Sequence, residues 1–262
     1  MNAETVAQQA AVAAGVRVRL VEDVDGIARV AGFFAEVWRT PDEPLPAETL
    51  RSLVHAGGSV IAAYADDRLA GAAVAVFEPP RERAVYSLLA GASSSDRGVG
   101  FALKQAQRVW ALREGALFMS WTFDPLVGRN ARFNMAKLGA VGIEYLVDFY
   151  GPMNDGLNAG DESDRLTARW DLSAAAPALD HDRAGASFDL TAPDGKPLTA
   201  YRDDLLFCRV PPDIVELRGR DPETAFAWRN AVRGVFTGAF DRGYRVVGMS
   251  RDGWYTLRGA GS

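Results

Sequence analysis

Ala84-Val85-Tyr86-Ser87-Leu88-Leu89-Ala90-Gly91 leads through Ser93-Ser94-Ser95-Asp96 into Arg97-Gly98-Val99-Gly100-Phe101-Ala102-Leu103-Lys104. An apolar run of strand length ends at a polar turn, and an amphipathic helix follows over Phe101 to Leu112. Glycines at 98 and 100 let backbone N–H groups approach an anion closely, and a helix N-terminus adds a positive partial charge. Arg97 supplies a cation that pairs well with phosphate. A tight strand-to-helix turn is the other reading of the same residues. The segment is not a Walker loop, since no Gly-Lys-Ser/Thr follows. It is not the dinucleotide fingerprint either, because residue 103 is Leu.

Upstream, Val16 to Leu20 alternates with period two, as a strand does. Ile27 to Trp38 places Ile27, Val30, Ala31, Phe34 and Trp38 on one helical face, and Thr40-Pro41 with Pro44-Leu45-Pro46 opens a loop. Ser59 to Ala65 and Leu69 to Phe77 form a hairpin around Asp66-Asp67-Arg68. Downstream come a buried strand at Leu117 to Phe123, a helix at Asn130 to Leu138, and strands at Ile143 to Phe149 and Leu166 to Leu172. The order β-α-β-β-β-α-β-α-β belongs to an α/β protein with an antiparallel front half.

These patterns predict a leader over 1–15, a main domain over 16–173, a connector over 174–204 and a C-terminal β-α-β-β extension over 205–262. In the extension, Leu205 to Leu217 reads as a strand interrupted at Pro211-Pro212. Asp221-Pro222-Glu223 starts a helix with an apolar stripe from Ala225 to Ala239, Gly243 caps it, and a hairpin follows.

The 262 residues carry 29 basic and 34 acidic side chains, a net charge of −5, which argues against nucleic acid as a partner. No uncharged stretch is long enough to span a membrane. The alanine-rich start lacks a basic n-region and reads as a fraying helix of a cytoplasmic protein. The one cysteine, Cys208, reads as a buried structural thiol, and two histidines, His55 and His181, make a metal site improbable, so no metal is expected.

The chain resembles the GNAT superfamily of acyl-CoA-dependent N-acyltransferases, in a bacterial branch with a C-terminal extension. The resemblance is carried by Arg97 to Lys104, Trp121 to Asn134, Leu138-Gly139-Ala140 and Asp148 to Met153. It continues through Leu157-Asn158-Ala159-Gly160 and Ser163-Asp164-Arg165-Leu166. It implies a twisted mixed sheet flanked by helices and splayed between the fourth and fifth strands, where a pantetheine arm inserts. By this resemblance Leu89, Ala90 and Gly91 pair with the pantetheine amides. Gly98, Val99, Gly100 and Phe101, with Arg97, hold the pyrophosphate, and Asn130 and Asn134 lie along the arm. The co-substrate is an acyl-CoA, acetyl-CoA or succinyl-CoA, and the acceptor is a small amine such as an amino acid. A second copy of the chain is a further expected partner.

Two departures stand out. Ser95 occupies the first position of the superfamily loop, and Met135 stands near the place of the tyrosine that ordinarily protonates the thiolate. Candidate replacements are Tyr150, whose phenol can donate to a thiolate or bind substrate, Glu78 at a strand end as general base, and Asp124 at another. Each has a bland counterpart: aromatic packing, a solvated loop carboxylate, and helix capping. A rival to the enzyme reading is a diverged relative that binds a CoA thioester without transfer, or one that runs different chemistry.

Overall fold

A computed structural model describes residues 2–93, 98–152, 161–174 and 183–259. The chain forms two compact units, through Trp121 and from Thr122 onward.

The first unit runs α1 (Ala3–Ala13), β1 (Arg17–Leu20), α2 (Val24–Trp38), α3 (Ala47–His55), β2 (Ser59–Ala65), β3 (Arg68–Phe77), β4 (Ala84–Ala92), α4 (Val99–Arg113) and β5 (Phe118–Phe123) as far as Trp121. Strands β1 to β4 are antiparallel neighbours in chain order, and β5 lies parallel to β4. Ile27, Val30, Phe34 and Leu50 pack on Val60, Ala62, Ala72 and Val74, so the face of α2 predicted from its spacing is the one that is buried. Asp23 caps α2 by accepting from the Gly26 N–H at 2.7 Å.

Two readings are corrected here. The leader is no frayed end: α1 is capped by Asn2, buries Ala10 and ties to α4 through Glu4 and Arg113. The loop opened by Pro44-Leu45-Pro46 is short, because α3 begins at Ala47 and sinks Leu50 into the core. A proline just before the first helical residue costs the helix no hydrogen bond.

The second unit continues with α5 (Gly128–Arg132), which passes into a π-turn at Phe133–Leu138. Strands β6 (Val141–Leu146), β7 (Arg165–Asp171), β8 (Ser187–Phe188), β9 (Thr199–Arg202) and β10 (Leu205–Arg209) follow. Helices α6 (Ile214–Arg220) and α7 (Pro222–Asp241) lead to β11 (Arg245–Met249) and β12 (Trp254–Arg258). Its sheet is antiparallel in the order β7-β6-β11-β12-β10-β9-β8, so the C-terminal residues share a sheet with β6.

The predicted connector contributes β8 and β9, which pair through backbone at the sheet edge. The continuation of the Leu205 strand to Leu217 is also corrected: β10 stops at Arg209, and Asp213 caps α6 by accepting from the N–H groups of Val215 and Glu216. Asp221 caps α7 as expected, and Gly243 takes a φ of +81° behind it. Cys208 is fully buried, and burial pushes its thiol pKa far up. No helix among the described residues is long and apolar enough to cross a membrane.

Candidate functional site

In the first unit, β4 and β5 pair over three positions only: Ala84 with Phe118, Val85 with Met119 and Tyr86 with Ser120. There the pairing stops, while β4 runs on to Ala92 against β3. The register of β3 and β4 shifts between Val74 opposite Leu89 and Ala75 opposite Ser87, which leaves Leu88 as an extra residue. A bulge bends its strand and sharpens the local twist, so β4 turns at the point where its pairing with β5 ends. Leu88 and Ala90 are exposed. Gly91 serves packing as well: a Cβ there would meet the Trp38 ring at 2.8 Å.

Past β4, Gly98 adopts a φ of +77° at the N-cap of α4, and no side chain caps the helix. The N–H groups of Gly98, Val99 and Gly100 have no acceptor among the described residues, which leaves three donors at the positive end of the helix dipole. A Cβ at Gly100 would meet nothing within 4 Å, so this turn faces open space. Arg97, with Ser94, Ser95 and Asp96, lies outside the described residues, and the same holds for Leu157 to Gly160.

Glu78 is placed elsewhere in the same unit. It follows β3 and lines a cavity of about 260 Å³ with Phe77, Arg83 and Glu114, beside Gly115 at the C-terminal end of α4. One of its carboxylate oxygens is buried without a partner. The fifteen residues of α4, roughly 22 Å of helix, separate this cavity from Gly98.

In the second unit, Asp124 is buried and fully engaged. Its oxygens accept from Arg229 at 2.9 and 3.1 Å and from Arg218 at 2.5 Å, and Oδ1 also takes the Leu126 N–H at 2.9 Å. Burial pushes its carboxyl up, but attraction and hydrogen bonding from Arg229, then Arg218, outweigh this and hold its pKa at about 2. Asp161 bridges the same two arginines, and Asp164 accepts from Arg233 and from the Tyr145 hydroxyl at 2.6 Å. Such a carboxylate has no proton to exchange near neutral pH, so Asp124 acts as an anchor for α6 and α7. Its arginine partners, Arg218 and Arg229, were not marked out by any pattern in the sequence.

Tyr150 is half-exposed. Its hydroxyl lies 3.3 Å from Thr122 Oγ1, its ring stacks edge-on against Phe149, and the Arg165 guanidinium sits 5.1 Å from the ring centre. Asn130 is exposed at the start of α5, whereas Asn134 is buried within the π-turn, and its carbonyl accepts the Ala140 N–H at 3.0 Å. The two stand four positions apart, and the π-turn between Phe133 and Leu138 departs from the 3.6-residue α-helical period over that stretch. Met135 is buried and carries no proton.

No family model and no curated protein matches the sequence. Solved structures similar to this chain include an N-acetyltransferase from Staphylococcus aureus, at 14% identity and a TM-score of 0.49 over 60% of this chain and 99% of that one. A protein of Salmonella typhimurium solved with its cofactor acetyl-CoA is similar at 15% identity and a TM-score of 0.49, over 63% of this chain and 99% of its own. A GNAT-family protein from Desulfovibrio desulfuricans stands at 19% identity and a TM-score of 0.43, over 60% and 99%.

Proposed function

We propose that this protein is an acyl-CoA-dependent N-acyltransferase that acts on a small amine in the cytoplasm. The observation that carries the reading is the parting of β4 from β5 after three paired residues, with the uncapped N-terminus of α4 following β4. An extended chain of amides can add to the β4 edge past Tyr86, as a strand would. A pyrophosphate suits the donors of Gly98, Val99 and Gly100, where the missing Cβ of Gly100 leaves room. The donor set therefore fits a CoA thioester.

When bound, that group supplies an activated acyl carbon. The protein's share of the work is to hold the thioester, to admit the amine in its neutral form, and to manage one proton. Leu89, Ala90 and Gly91 orient the arm through their backbone. We assign Tyr150 to binding of the acceptor, and Glu78 to holding a cationic group in the cavity at the far end of α4.

The test is thiol release from acetyl-, succinyl- and malonyl-CoA against a panel of amines, beside CoA titration by calorimetry. Turnover with any pair supports the reading. CoA binding without thiol release supports a binding protein instead, and neither result would sink both.

A further inference from the structure

Of the 29 basic residues only three are lysine, at 104, 137 and 196. Lys137 and Lys196 are exposed; Lys104, in α4, is 6% exposed. Ion pairs among the described residues, from Arg19–Asp23 to the Arg229 cluster, are formed by arginine. Lys104 is thus a deeply buried cation with no ion pair among the described residues, and unlike arginine a lysine can lose its charge.

Lys104 Nζ donates to Ser87 Oγ at 2.8 Å, lies 3.9 Å from Met119 Sδ and stands 3.9 Å from the centre of the Trp121 ring. These three partners match the three N–H bonds of an ammonium, and none is negative. Ser87 Oγ in turn donates to Gln107 Oε1 at 3.0 Å. The other ionisable side chains on α4, β4 and β5 are Tyr86, Arg108 and Arg113. The other elements packed on α4 add Glu4 on α1, Arg17 and Arg19 on β1, Tyr64 on β2 and Arg68 on β3. Glu4, their one carboxylate, pairs with Arg113, Arg108 reaches Gln105, and Lys104 forms no ion pair among the described residues. Burial brings the Lys104 pKa down from 10.5 to about 7.

Its position is as telling as its chemistry. Tyr86 and Ser120 are the last paired residues of β4 and β5, and Lys104 touches the next residue of each, Ser87 and Trp121. Gln107, which accepts from Ser87, has its Nε2 buried without a hydrogen-bond partner; Ser120 Oγ is likewise unsatisfied, but on the face of β5 opposite Met119 and Trp121. An unsatisfied polar atom in an interior calls for an explanation, and Gln107 is bonded to the same Ser87 that Lys104 donates to.

We propose that Lys104 carries the proton of the acyl-transfer step, giving it to the sulfur that departs at the parting of β4 and β5. The proposal rests on the acyltransferase reading above. As the acceptor nitrogen bonds to the acyl carbon and the carbon–sulfur bond breaks, the electron pair leaves on sulfur and the Lys104 ammonium protonates it. The neutral Lys104 amine then takes up the proton shed by the acylated nitrogen, so the residue ends as it began. Ser87 and Gln107 position the amine and do not react. This supplies the acid that Met135 cannot be.

The experiment has two readouts on the full chain. In protein labelled with ¹³Cε-lysine, three lysine signals are expected, and the one missing from Lys104→Met or Lys104→Arg is Lys104. It should titrate near neutral pH and shift on addition of CoA. A Lys104 signal that titrates above pH 10, or that ignores bound CoA, overturns the proposal. In the thiol-release assay, Lys104→Met should lower kcat roughly 10²-fold with little change in KM for the thioester. Lys104→Arg should be as poor, because a guanidinium keeps its proton; it carries the comparison if the methionine variant does not fold. Wild-type turnover with the variants within threefold overturns the proposal alone. A wild type that releases no thiol overturns the acyltransferase reading, and this inference with it.

Discussion

Arg229 and Asp124, 105 positions apart in the chain, meet in a two-point ion pair with Nη1 to Oδ1 at 2.9 Å and Nη2 to Oδ2 at 3.1 Å, and the arginine has no exposed surface. Removing one partner strands the other as a buried charge. Asp124→Asn should therefore cost about 3 kcal/mol or more in urea unfolding. The carboxyl also sets an acid limb. Its folded pKa is lowered, so its stabilisation is present above the unfolded value of 3.8 and is lost as pH falls toward about 2. Wild-type stability should drop through that window by about 2 kcal/mol more than that of Asp124→Asn. A variant within 1 kcal/mol of wild type would make the pair incidental.

Lys104 also makes stability rise with pH, but in a higher window and through a charge that costs stability instead of adding it. Its folded pKa is depressed, so between pH about 7 and 10.5 the unfolded chain binds the proton more tightly, and wild-type stability rises with pH across that range. Below it the protein bears the cost of a buried, unpaired ammonium. Lys104→Met, of similar volume and apolar, should thus melt higher than wild type at pH 6, and the gap should narrow toward pH 10. Parallel melting curves at all pH values would mean that the amine never changes its charge.

Gly100→Glu tests the anion site without disturbing the fold. A side chain there meets open space, and an acidic residue in a first helical turn suits the dipole, so the melting temperature should hold. A carboxylate beside two phosphates should weaken CoA by roughly a hundredfold, about 3 kcal/mol, in calorimetric titration. Normal affinity in this variant would put the pyrophosphate elsewhere.

How much of this was legible in sequence depended on whether a residue's role is local. The β4–α4 unit could be read because strand length, a polar turn and two glycines all lie within thirty or so positions. Helix α6 was misread because Ile214-Val215 favours a strand by composition, and the Asp213 cap that decides the matter is a single side chain. Lys104 carried no readable role in the sequence, where it only ends the Arg97-to-Lys104 stretch. Its row of neighbours, Gln107 and Ala111 at i+3 and i+7, gave only a faint signal, since burial depends on where α4 lands against β4 and β5. The arginine cluster was hidden for the same reason: Asp124 and Arg229 are brought together by folding alone.

Cutting the chain after Ser173 is the most demanding test of the second unit. Such a fragment keeps β6 and β7 but loses β11, which pairs with β6 at Val246 and Gly142. It loses Arg218 and Arg229, leaving Asp124 and Asp161 as unpaired carboxylates in an interior built for ions. Arg233 goes too, and with it a partner of Asp164. Phe236 no longer covers Tyr145, whose ring lies 5.4 Å from it, and the Tyr255 hydroxyl no longer reaches the Pro125 carbonyl. An exposed strand edge, bare apolar rings and stranded charges each favour aggregation over folding. The 1–173 fragment should be insoluble, or soluble only without a cooperative melt. A soluble fragment with a sharp thermal transition would mean that residues 205 to 262 fold as a separate body, and that the ions of α6 and α7 are not needed to hold Asp124 in place.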